Sequence, residues 1–194
     1  MEPVLAALRV VHVVTAVLMA WPFYALVAVN NRARLGPPLG DRADTYLEAV
    51  IKNRTVPCFV FQGTALVTGI LLVLLRGLGP GTLVTNPVLG IKILLLLMIA
   101  GLLTYVHTSL QPAIDRLFAA GGSPIPAERA GAIGGLRLRR KRVATACLFA
   151  VLTLVMLGVQ VWALFPAWLT LLLLLAIAAF TWRAYGSVTP LGWV

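Results

Sequence analysis

Long apolar runs separated by short polar stretches divide the chain into five segments, about 4–29, 55–75, 88–110, 143–164 and 167–185. Each approaches the roughly 20 apolar residues that cross a hydrocarbon layer as a helix. The pattern predicts an all-α fold, an integral membrane helical bundle of five transmembrane helices forming one domain over 1–194. Only Phe165 and Pro166 part the last two segments. That spacing predicts a tight helical hairpin, with the proline where a helix starts without losing a needed hydrogen bond. The first segment has the position of a secretion signal, but Glu2 precedes it, no box of small residues follows, and it runs too long. It reads as a retained helix.

Two polar stretches, 30–54 and 111–142, read as loops. Within the first, "DRADTYLEAVIKNR" predicts a small amphipathic helix capped by Asp41, with Tyr46, Leu47, Val50 and Ile51 at helical spacing. Such a helix lies at the inner membrane surface or against a partner. The second stretch predicts a short extension of helix three and a break at Gly121, Gly122 and Pro124. Its "GAIGG" lacks the Lys-Ser/Thr of a phosphate-cradling loop and reads as a flexible connection. The outer loop "RGLGPGTLVTNP" is too short for a substrate-binding domain, and no internal repeat is evident.

Composition agrees with the pattern. Hydrophobic residues make up 60% of the chain and charged ones 11%, with mean hydropathy +0.96, whereas soluble domains are roughly a quarter charged. The net charge of +10 is unevenly placed. Twelve of the sixteen basic residues fall in the two loops: Arg32, Arg34, Arg42, Lys52 and Arg54, then Arg116, Arg129, Arg137, Arg139, Arg140, Lys141 and Arg142. The positive-inside rule makes these loops cytoplasmic, with the N-terminus outside and the C-terminus cytoplasmic, in the inner membrane. Arg183 agrees. The run "RLRRKR" fixes topology and is expected to touch anionic lipids at the cytoplasmic face. No nucleic acid is expected, because no aromatic platform or soluble domain accompanies the basic residues. Cys58 and Cys147 fall near the same ends of their helices and read as reduced packing residues.

The two histidines, His12 and His107, both lie inside apolar segments. An ionisable or metal-ligating side chain in a bilayer points to function by default. Counting about 1.5 Å per residue puts His12 about 12 Å below the outer end of helix one and His107 about 28 Å below that of helix three. That separation argues against one haem held between them. Arg9 and Lys92 flank the depth of His12 with no acidic residue inside the five segments. They either snorkel to headgroups or pair with the propionates of a haem b whose iron is bound by His12. Met98 and Met156 stand at suitable depth for a second axial ligand, though methionine is equally a packing residue.

His107 reads either as hydrogen-bonded to a backbone carbonyl, Thr104 or Thr108, or as a second metal ligand or proton relay. Copper has less support, because the four methionines are scattered. Hydrolysis has none, because no carboxylate or Ser-His-Asp set lies in the segments. Helix two carries Gly63, Thr64, Ala65, Thr68 and Gly69, a small face that lets another helix approach closely. Gln62 beside it suits a neighbouring helix or a quinone-like headgroup.

At these residues the chain resembles the CopD-like membrane proteins and the related HemJ-type protoporphyrinogen oxidases. "LRVVHVVTAVLMAWPFYALV" looks like their first helix, with an early histidine and a later tryptophan. "GIKILLLLMIAGLLTYVHT" looks like their helix with a lysine at its start and a histidine towards its end. The similarity covers helices one to three, about half the chain. It implies a b-type haem with His12 as ligand, Lys92 and His107 as further functional positions and, for the oxidase branch, oxidation of protoporphyrinogen. Pro22 after the tryptophan, the wider spacing from Lys92 to His107 and the fifth helix depart from that branch. The sequence thus leads to a membrane haem protein of electron transfer, an oxidoreductase if an enzyme, possible as one subunit of a larger membrane complex. The competing expectations are a cofactor-free structural or assembly subunit, a protoporphyrinogen oxidase-like enzyme and a copper-handling protein.

Overall fold

Five helices long and apolar enough to cross a membrane dominate the computed structural model, which describes residues 2–30, 42–120, 125–161 and 163–186. No strand occurs among the described residues. The elements are α1 (Glu2–Asn30), α2 (Arg42–Leu75), a short α3 (Thr82–Thr85), α4 (Pro87–Tyr105), a π-helical turn (Val106–Leu110), α5 (Gln111–Ala119), α6 (Ala127–Gln160) and α7 (Ala167–Gly186). Helices α1 and α6 pack against each other; α2 lies on α1, α4 on α6, and α7 against both. Their shared core contains Met19, Phe23, Val27, Cys58, Ile99, Leu103, Cys147 and Val151. The two cysteines are buried and unbridged.

Local chemistry sets the turns at the end of the bundle near Arg9. Gly77 takes a positive φ of 72°, and the bonds Gly77 N–H to Leu74 O and Leu78 N–H to Val73 O close α2 as a Schellman motif. Asn86 then starts α4: its side-chain oxygen accepts from the Val88 and Leu89 amides, with Pro87 at the first helical position. Pro166 accepts from the amides of Leu169 and Thr170 and so opens α7. Trp168 and Trp182, both exposed on α7, stand about 21 Å apart along its axis. Exposed tryptophan is a residue type enriched at bilayer interfaces.

The opposite end differs from the sequence expectation. The stretches 30–54 and 111–142 do not form loops in their described parts: α2 begins at Arg42, α5 continues the α4 rod to Ala119, and α6 begins at Ala127. Asp41, Arg32, Arg34, Gly121, Gly122 and Pro124 lie outside the described residues. The amphipathic segment is the first turns of α2 rather than a separate surface helix, with Ile51 buried and Tyr46 exposed. "GAIGG" is helical within α6, where Ile133 packs on Ile125 beside Leu117 and Phe118. Residues 42–54 add about 20 Å to α2 beyond its apolar part.

Charge pairing explains why these extensions form. Glu48 accepts from Arg137 Nε at 2.8 Å and from Arg140 Nη1 and Nη2 at 2.7 and 2.9 Å. Asp44 accepts from Arg137 Nη1 at 3.1 Å. Gln111 accepts from Arg140 at 2.6 Å and donates to Asp115 at 3.0 Å, and Lys52 reaches Asp115 at 3.4 Å. Arg137 and Arg140 are 2% and 0% exposed. Asp44, Glu48, Arg137 and Arg140 sum to zero charge, so the helices bury them together. The π-helical turn contributes: Gln111 donates to the Val106 carbonyl, five residues back. The widened turn accommodates Pro112, which has no amide donor, and turns the following face towards α2 and α6.

Carboxylates therefore do lie inside the extended helices, contrary to the sequence reading. The "RLRRKR" run is also divided. Arg137, Arg140 and Lys141 point inwards, Lys141 lying over the Tyr185 ring at 4.8 Å. Arg139 and Arg142 are exposed, Arg139 over Tyr105 at 5.7 Å.

Candidate functional site

His12 lies on the face of α1 that meets α2. Its Nδ1 stands 2.9 Å from the Thr68 hydroxyl oxygen. That hydroxyl has a single proton, and it donates it to the Thr64 carbonyl at 2.6 Å, with the Ala65 carbonyl a longer second acceptor at 3.3 Å. Thr68 therefore meets the imidazole as an acceptor, and Nδ1 carries the proton. In a neutral ring the Nε2 lone pair is then available. An Nδ1–H held by a hydrogen bond is also how a metal-ligating histidine is usually fixed in tautomer and orientation.

Gly69 makes room for this ring. A Cβ built there would lie 3.2 Å from His12 Cε1 and 3.7 Å from Nδ1. This is where the small face of α2 admits its neighbour; Gly63, two turns earlier, faces open space. Lys92 of α4 lies within electrostatic reach of His12. Its Nζ lies 3.7 Å from the Cβ position of Gly158 on α6. Lys92 is half-buried and forms no hydrogen bond or ion pair among the described residues. An ammonium in that setting favours an anionic partner. The structure thus brings His12 against Thr68 and Gly69, and Lys92 against Gly158, with the Lys92 charge within electrostatic reach of the imidazole.

The remaining positions are distributed around this centre. Arg9, one turn before His12, lies close enough to Arg76 for their like charges to repel; burial and that repulsion hold the Arg76 guanidinium below its ordinary range. Met156 is buried on α6 two residues before Gly158, at the depth of the site. Met98 is 42% exposed on α4, about 9 Å along the helix from Lys92. Gln62 is buried on α2, and its Nε2 has no hydrogen-bond partner among the described residues.

His107 belongs elsewhere. It is exposed on the π-helical turn, edge-on to Phe59 with ring centroids 6.2 Å apart. His12 meets α2 at Thr68 and His107 meets it at Phe59, about 14 Å apart along that helix. His107 makes no hydrogen bond to Thr104 or Thr108, whose hydroxyls donate to the Ala100 and Thr104 carbonyls. The described residues contain no group of three or more His, Cys, Asp or Glu side chains able to hold a bare metal ion.

Sequence reasoning singled out His12 and Lys92 but missed Thr68 as the imidazole's partner, Gly69 as the space for the ring, and the ion cluster. The signal for the cluster was present: Asp44 and Glu48 four apart on one helix, Arg137 and Arg140 three apart on another. Comparison with protein-family models, with curated proteins and with solved structures gives no match to this chain.

Proposed function

We propose that this is an integral membrane protein that binds a b-type haem through His12 and takes part in electron transfer. The observation that carries the reading is the hydrogen bond from His12 Nδ1 to Thr68, whose own proton is committed to the Thr64 carbonyl. It leaves one nitrogen of a single, oriented imidazole free to ligate iron. The donor set fits: an imidazole is a normal axial ligand of haem iron, and Lys92, half-buried without an anionic partner among the described residues, suits a propionate. Haem, when bound, supplies the one-electron chemistry. The chain's own residues do the rest. Thr68 sets the tautomer, Gly69 leaves space for the imidazole, Lys92 offers countercharge, and Met156 stands on α6 at the same depth.

Orientation follows from the exposed cations. Lys52, Arg116, Arg139, Arg142 and Arg183 remain exposed towards the Arg137 end even though three of the arginine-rich run are buried. That end is proposed to be cytoplasmic, which places His12 in the outer half of the inner membrane. The resemblance of helices one to three to CopD-like and HemJ-type proteins supports the same reading, with a larger redox complex as the electron partner.

A reduced-minus-oxidised spectrum of the purified protein tests it: b-type bands are expected, and a featureless difference spectrum sinks the proposal. The space at Gly69 makes a second expectation. Gly69→Ala should displace the imidazole by a few tenths of an ångström and weaken haem retention about five-fold, the equivalent of roughly 1 kcal/mol. Titration of the apoprotein with haem measures this; unchanged affinity would remove Gly69 from the site.

A further inference from the structure

A groove of about 260 Å³ runs between α6 and α7 at the Arg137 end, lined by Arg142, Thr145 and Phe149 on one side and by Ala178, Thr181, Trp182 and Tyr185 on the other. Its polar groups are unequal. The Thr145 hydroxyl donates to the Lys141 carbonyl and the Thr181 hydroxyl to the carbonyls of Ile177 and Ala178. Both hydroxyl protons are therefore committed within their own helices and are not offered to an anion. Arg142 is exposed and makes no ion pair among the described residues. It is the one free charge on the lining.

Depth gives the groove a direction. Trp182 is 76% exposed and its ring lies against Tyr185, an arrangement suited to the headgroup level of a bilayer. Phe149 lies about 10 Å from Arg142 along α6, towards the apolar centre. The groove therefore has a cation and two aromatic rings at its interfacial mouth and apolar walls leading inwards. We infer that it is a binding site for one anionic phospholipid, with the phosphate on Arg142 and an acyl chain along Phe149 and Ala178. Charge complementarity selects the occupant: both lipid classes bring a phosphate, but a zwitterionic headgroup adds a second cation beside the guanidinium, whereas an anionic one keeps its net negative charge, and basic pockets between membrane helices are known to favour anionic headgroups. The inference rests on the membrane-spanning reading and is independent of haem.

The test is native mass spectrometry of the full chain extracted from vesicles of equal phosphatidylglycerol and phosphatidylcholine. The wild type should retain one phosphatidylglycerol per chain, with phosphatidylcholine retained at least five-fold less. Arg142→Gln should lose that lipid at least five-fold, whereas Arg139→Gln, whose cation lies over Tyr105 outside the groove, should retain it. Ala178→Trp fills the apolar part without altering charge and should also lose it. Equal capture of the two lipids, or retention by both Arg142→Gln and Ala178→Trp, overturns the site. Recovery of the wild type in the membrane fraction of the same preparation checks the spanning reading separately.

Discussion

His12→Gly should purify without haem, and imidazole added to that variant should restore the b-type spectrum. Glycine removes the ligand while opening a space of the same shape, so a small free imidazole can take its place. The loss should exceed the roughly 10–100-fold that changes to outer-shell hydrogen-bond partners produce. Thr68→Val falls in that lesser class, because it removes the acceptor that holds Nδ1–H but leaves the ring. His107→Ala should leave the spectrum unchanged, since that ring meets α2 about 14 Å away. Parallel haem titrations of these three variants decide the ranking; equal loss from His12→Gly and His107→Ala would contradict it.

Glu48→Ala should have the largest effect on stability. One carboxylate accepts from both Arg137 and Arg140, and its removal takes the shared counter-charge from two buried guanidinium groups, leaving Asp44 on Arg137 and the neutral Gln111 on Arg140. Breaking a buried ion pair by deleting one partner costs about 3–5 kcal/mol, even where the intact pair adds little net stability over an apolar replacement. A loss of that size is a large part of the roughly 5–15 kcal/mol that holds a typical domain folded. Glu128→Ala, at an exposed position in the first turn of α6, should change stability by less than about 0.5 kcal/mol. Thermal unfolding in detergent, followed by circular dichroism, compares the two. A Glu48→Ala protein that melts with the wild type would show that the cluster does not secure α2, α5 and α6.

The contrast between the two ends of the bundle shows what a sequence of this kind reveals. Apolar runs are local, so the five membrane-crossing helices are legible one segment at a time, and Pro166 and Asn86 mark helix starts through their own backbone chemistry. Charges are read differently. Asp44, Glu48, Arg137 and Arg140 each look like solvated loop residues because their partners lie 89–93 positions away. They cancel where side chains of α2 and α6 meet beside Gln111 of α5, and with that cancellation the supposed loops become helix. The same limit applied at the site. His12 stood out because an imidazole is unusual in apolar surroundings, whereas Thr68 and Gly69 looked like ordinary packing residues until α1 was placed against them.

Ligation by His12 is the central claim, and stoichiometry tests it most directly. Pyridine-haemochrome analysis of the purified wild-type protein should give one haem b per chain, and the same preparation of His12→Gly should give none. A wild-type protein purified from haem-replete membranes with no haemochrome, or a His12→Gly protein with a full complement, would contradict it.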